Sequence, residues 1–172
     1  MHDKNFHTVR GYQLLSKDDK LLTPAMEDYL EMIYRNIQEE GYMRINTLSE
    51  MLNVKPSSAT KMVQKLTELE LLDYKKYGII FLTERGKEYG QFLLSRHNTI
   101  ERFLKSIGTT SDDLLTETEL IEHNISSNTL KNIELLTRFF DTHPEVIDEF
   151  KKFKKEVNSE DCSLLTESIA TE

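Results

Sequence analysis

The chain has 172 residues, of which 38% are hydrophobic and 30% charged, with a net charge of −8 and one cysteine; this is the composition of an ordinary globular domain. No apolar run approaches the roughly 20 residues of a bilayer-spanning helix, and the first residues, MHDKNFHTVRGYQLLSKDD, contain no apolar core of a signal peptide. With Cys162 alone no internal disulfide can form, and the expected location is cytoplasmic.

Charge is unevenly spread. Residues 41–96 hold nine Lys/Arg against six Asp/Glu, residues 97–172 eight against sixteen, and residues 1–40 five against eight. A mildly basic middle suits phosphates, and acidic flanks suit cations.

In chain order, residues 1–22 have no periodicity and are expected to form a poorly ordered arm. Thr23-Pro24 then starts a helix, with Thr23 as N-cap and Pro24 at its first position. Met26, Tyr29/Leu30, Ile33 and Ile37 form its apolar stripe, and Gly41 ends it. Leu48, Met51 and Leu52 mark a short helix from about Asn46 to Leu52. After the turn Asn53-Val54-Lys55, Pro56 opens another helix to about Leu69. Its Ala59, Val63 and Leu66 point inward, leaving Ser57, Ser58, Thr60, Lys61, Gln64 and Lys65 outward. Two helices around a short turn make a helix-turn-helix. LLDYKKYGIIFLTERG adds two strands around Lys76-Tyr77-Gly78, completing a winged helix.

A long helix is expected from Glu84 to Ile107, ended by Gly108, and another from near Ser111. Asn124 to Ser127 break the pattern before a helix over Asn128 to Asp141. His143 reads as a cap or turn residue, Pro144 starts a last helix to about Val157, and NSEDCSLLTESIATE has no core pattern. Phe103, Phe139 and Phe140 read as core or dimer contacts.

Two constellations carry chemistry. Lys61, Gln64, Lys65 and the hydroxyls of Ser57, Ser58 and Thr60 suit phosphates and base edges, and Lys75 and Lys76 sit at the wing tip. The competing reading is a packing unit with solvated lysines. The second constellation is ELIEHNIS, in which Glu119, Glu122 and His123 share one helical face despite like-charge repulsion. A bound cation is one answer; a solvated face is the other. Asp28 and Glu31, three apart, also answer a helix dipole, and a histidine such as His97 is commonly a surface or core residue. Oxygen and imidazole donors without thiolate suit manganese or ferrous iron and disfavour structural zinc.

Through TPAMEDYLEMIY, KPSSATKMVQKL, LTERGK, LLSRH and LIEHNIS, from about Thr23 to Asp141, the sequence resembles the DtxR/MntR family of metal-dependent repressors, and within it the manganese transport regulator branch. The resemblance implies a mainly α fold: an N-terminal winged helix-turn-helix domain (23–95) and a helical metal-binding and dimerisation domain (96–157), with no SH3-like third domain; the N-terminal arm and the tail (158–172), expected to be disordered from its lack of a core pattern, depart from the family. It implies metal ligands at Asp28, Glu31, His97, Glu119, Glu122 and His123. One ion is expected on Asp28, Glu122, His123 and the Glu119 carbonyl, a second on Glu31, His97 and the Glu119 carboxylate, with Glu122 bridging. Iron-type members have methionine in place of Asp28 and cysteine in place of Glu119, so the harder donors point to Mn2+, two per chain, with Fe2+ or other divalent metals binding in vitro.

The implied function is a manganese-activated repressor of manganese-uptake genes. It would work as a homodimer on a pseudo-palindromic double-stranded DNA operator, without membrane, organic cofactor or enzymatic activity. The alternatives are a winged-helix regulator responding to iron or to a non-metal effector, and a di-iron enzyme. The latter calls for Glu-x-x-His pairs, and no histidine here has Glu three residues before it.

Overall fold

A computed structural model describes the backbone of residues 22–169 and the side chains of residues 22–157 other than Glu39. The expected arm lies, up to residue 21, outside the described residues, as do His2, His7 and the side chain of Cys162. The chain divides into two compact units, Met1–His97 and Asn98–Glu172. No helix among the described residues is long and apolar enough to cross a membrane.

In the first unit, α1 (Pro24–Glu40) begins as expected, with Thr23 Oγ1 accepting from the Met26 N–H at 3.4 Å. It ends at Gly41, whose φ of +74° lets its N–H turn back to Ile37 O. Met26, Tyr29, Leu30, Ile33 and Ile37 are all buried. Burial also holds the Tyr29 phenol above its ordinary pKa by desolvation. α2 (Ile45–Met51) and α3 (Pro56–Glu68) form the helix-turn-helix. The turn between them places Asn53 at φ +50°, a conformation asparagine tolerates.

Of the residues that mark α2, Leu48 is fully buried, whereas Met51 is 46% exposed. In α3, Ala59, Val63 and Leu66 are buried, as the spacing predicts.

Strands β2 (Leu72–Lys75) and β3 (Ile79–Leu82) form the wing on either side of a single 3-10 turn, Lys76–Gly78. A further strand, β1 (Met43–Arg44), pairs antiparallel with β3, giving the order β1-β3-β2. Two residues carry no alternation, so the sequence pattern had no means of revealing β1.

α4 (Glu84–Ile107) has the bounds its sequence predicts. Thr83 caps it, accepting from the Gly86 N–H at 2.9 Å and donating to Glu70 O at 2.7 Å. α1 and α4 touch at Gly90, where a Cβ would lie 2.5 Å from Tyr34 Cβ. Only glycine allows that approach.

The second unit holds the rest of α4 followed by α5 (Ser111–Glu122), α6 (Ser127–Thr142) and α7 (Pro144–Ile169). The α7 backbone continues past Val157, where the apolar pattern stops; a helical ladder propagates without a core once nucleated. Ser126 caps α6, accepting from the Thr129 N–H at 3.2 Å. His143 is the α6 C-cap, with its ring stacked on Phe139 at 4.2 Å. Ile100, Leu104, Leu114 and Leu130 are buried, whereas Leu115, Leu120, Leu135, Phe139 and Phe153 are between 44% and 65% exposed. A unit with so much open apolar surface is suited to bury it against another chain.

Candidate metal centre and nucleic-acid interface

Each unit carries one set of candidate donors. In the first, Asp28 and Glu31 are one turn apart on α1, and His97 lies fourteen positions along α4 from its Thr83 cap. Glu31 and His97 are buried, at 6% and 5% exposure. Glu31 Oε1 lies 3.8 Å from His97 Nδ1 and accepts a 2.9 Å hydrogen bond from Arg35 Nε. The Arg35 guanidinium thus shares the carboxylate that faces the imidazole. Beside these residues, Arg96 Nη2 donates to Glu27 Oε2 at 2.8 Å, with side chains 5% and 13% exposed. This ion pair joins the sequence neighbours of His97 and Asp28. Spacing could not reveal it, because its partners are 69 residues apart.

In the second unit, Glu119 and Glu122 lie in the last turn of α5, and His123 is its C-cap. Glu119, Glu122 and His123 each offer a ligand atom within 4.8 Å of the others. Glu122 is 2% exposed, and its Oε1 lies 3.5 Å from His123 Nε2. A carboxylate at this depth is costly unless charge and hydrogen bonds compensate it. It also stands at the negative end of a helix dipole, a position that favours cations. The solvated-face reading of the three residues fails for Glu122, which is buried.

Asp28, Glu31 and His97 in the first unit, and Glu119, Glu122 and His123 in the second, each supply three candidate donor side chains, against the six oxygen and nitrogen donors, water included, that a hard divalent ion prefers. All these donors are carboxylate or imidazole, a chemistry that fits manganese or ferrous iron.

The DNA-reading candidates lie together on unit one. Ser57, Ser58, Lys61, Gln64 and Lys65 are exposed along α3, opposite its buried face. Thr60 is half-buried, and its hydroxyl donates to Pro56 O at 2.9 Å, so toward a nucleic acid it can act as an acceptor. Pro56 opens the helix, and the Ser58 and Ala59 N–H groups donate to Lys55 O at 2.9 and 3.1 Å, so the hydroxyl, amide and ammonium side chains are what α3 offers a nucleic acid. At the wing, Lys75 and Lys76 are exposed, and Lys75 Nζ pairs with Asp73 Oδ2 at 2.7 Å. Between the lysines and Gly78 stands Tyr77, which the reading of charge and hydroxyl groups passed over. It is 92% exposed.

Comparison with known proteins also divides the chain in two, but before α4 and not within it, so that His97 falls in the second matched stretch. Residues 21–80 match the family "Iron dependent repressor, N-terminal DNA binding domain", and residues 83–151 match "Iron dependent repressor, metal binding and dimerisation domain". The HTH-type transcriptional regulator MntR of Oceanobacillus iheyensis is 42% identical over 78% of this chain and 91% of its own length. The regulator of the same name from Geobacillus thermodenitrificans is 43% identical over 77% of this chain and 94% of its own. Among solved structures, a manganese-dependent transcriptional repressor in complex with manganese superposes with a TM-score of 0.57 at 28% identity, covering 64% of this chain and 51% of that one. The chain thus spans about half the length of that solved relative. From its matched domains and these full-length relatives, the chain belongs to the DtxR/MntR family of iron-dependent-repressor-type transcriptional regulators.

Proposed function

We propose that this protein is a manganese-activated repressor of manganese-uptake genes, working as a homodimer on operator DNA and not as an enzyme. The observation that carries this reading is the burial of Glu122 beside His123 in one unit and of Glu31 beside His97 in the other. Two buried carboxylates, each facing an imidazole, make a donor chemistry suited to hard divalent ions. The relatives named MntR and the solved manganese-dependent repressor support manganese as the ion.

In this reading Asp28, Glu31 and His97 bind jointly with Glu119, Glu122 and His123. When bound, the metal supplies positive charge that neutralises the crowded carboxylates. Protein residues do the rest. Glu31 and His97 bring α1 and α4 into the shared site, while Glu119, Glu122 and His123 bring the end of α5. Joint binding ties the DNA-reading unit to the dimerising unit and favours the arrangement in which two α3 helices meet half-sites one helical turn apart. DNA affinity then rises by as much as the metal prefers that arrangement. A coupling of about 1–3 kcal/mol corresponds to roughly 5- to 150-fold.

The exposed apolar residues of the second unit, Leu115, Leu120 and Phe139 among them, would form the dimer contact. Ser57, Ser58, Thr60, Lys61, Gln64 and Lys65 would face the major groove, with Lys75 and Lys76 on an adjacent phosphate.

The test is a gel-shift titration of operator DNA with and without Mn2+. Tighter binding with the ion is expected, and equal affinity in both arms overturns the activation. Calorimetry should find about two ions per chain; no stoichiometric binding would favour a regulator responding to a non-metal effector.

A further inference from the structure

We propose that Tyr77 is a DNA-contacting residue that seats its ring against the minor-groove edge of the operator beside the turn of major groove entered by α3. The proposal rests on the DNA-binding reading above. The last cross-strand pair of the wing is Lys75↔Ile79, so the hairpin closes over Lys76, Tyr77 and Gly78. Tyr77 holds φ +64° and ψ +20°, the left-handed region that glycine or asparagine occupies at far lower cost than a bulky side chain. Its side chain is 92% exposed, the highest value among the large apolar residues of the described chain. Folding of the hairpin therefore gains nothing from this ring and would be served better by glycine. A strained residue that also gives up burial is a candidate for function outside its own fold.

The surroundings decide the partner. Arg44 and Lys75 both pair with Ile79, so they occupy one cross-strand row directly beneath the tip, and Lys76 adjoins Tyr77 in the chain. Arg44, Lys75 and Lys76 are all exposed. Lys75 also pairs with Asp73 at 2.7 Å, and the Arg44 guanidinium lies over the Tyr42 ring at 5.7 Å; an exposed aromatic ring on a tip whose charged groups are mainly cationic is matched to a polyanion with apolar edges, not to an apolar protein surface. A wing beside a recognition helix meets the duplex where the minor groove follows the major one. There the ring packs on deoxyribose C–H groups, and the hydroxyl can donate to a phosphate or to a groove acceptor.

The experiment uses the full-length chain at saturating Mn2+ and a fluorescent duplex that the wild type has selected from a random-sequence pool. Thermal unfolding, binding anisotropy and hydroxyl-radical footprints are recorded for wild type, Tyr77→Gly and Tyr77→Phe. Tyr77→Gly should unfold at the same or a higher temperature yet bind roughly five- to tenfold more weakly, as expected for one lost packed aromatic contact. It should also lose protection of minor-groove sugars next to the half-site. Affinity retained by Tyr77→Phe assigns the contact to the ring, whereas affinity lost there assigns it to the hydroxyl; each supports contact. Wild-type affinity in Tyr77→Gly, or weaker binding with an unchanged footprint, overturns the proposal. If the wild type itself selects no duplex, the DNA-binding reading falls instead, and the two failures are thereby distinguished.

Discussion

Arg96 and Glu27 are immediate chain neighbours of His97 and Asp28, and their ion pair is nearly dry at 5% and 13% exposure. Removing one partner of such a pair unbalances a nearly dry charge, a loss of up to about 3–5 kcal/mol. Glu27→Ala should therefore lower stability by up to that much in urea unfolding, while Glu27→Gln, which keeps an acceptor for Arg96, should lose less. Equal losses would mean that the charge contributes little. At this scale i, i+3 and i+4 spacing could group Glu119, Glu122 and His123 on one face, and Asp28 with Glu31 on another, whereas reading them as metal donors, and including His97 at all, rested on the family resemblance. The Arg96–Glu27 pair was not legible, since nothing local ties residues 69 positions apart.

Two elements set the geometry of the reader. α3 starts at Pro56, buries Ala59, Val63 and Leu66, and turns Lys61 and Lys65 outward. If those lysines neutralise phosphates, each change to alanine should weaken binding about equally across sequences and reduce the salt slope of log K by about one. An unchanged slope would place the lysine in solvent. α1 and α4 meet at Gly90, where any Cβ intrudes on Tyr34. Gly90→Ala should cost about 1–3 kcal/mol through overpacking, measurable by thermal or denaturant unfolding. α3 and α4 were legible in full because proline, capping threonine and apolar periodicity agree there. β1 and the exposure of Met51 were not: a two-residue strand exists only through its partner, and a seven-residue helix buries only what its neighbours can cover.

For the molecule as a whole, the central expectation is that manganese and operator binding strengthen one another by the same factor, as linkage requires. Raising Mn2+ should tighten DNA binding, and adding operator should tighten Mn2+ binding equally; unequal factors at equilibrium would mean that the two do not share one conformational switch. Lower pH should raise the Mn2+ concentration needed for half-maximal DNA binding, because the carboxylates and imidazoles must release protons to bind metal. Replacing hard donors with softer ones, in Asp28→Met with Glu119→Cys, should shift the response toward iron. The DNA-binding response to a series of divalent ions checks this, and an unaltered profile would remove donor hardness as the basis of selectivity.

Period, caps and charge blocks were enough to establish a winged helix followed by a helical bundle, and to bring Glu119, Glu122 and His123 to one helix end, because all of these are local properties of the backbone. Burial was not among them. That Glu122 is dry, that His97 faces a carboxylate already held by Arg35, and that Tyr77 stands in water on a left-handed backbone depend on which segments pack against which. Packing acts between residues distant in the chain, where a linear pattern carries no record of contact.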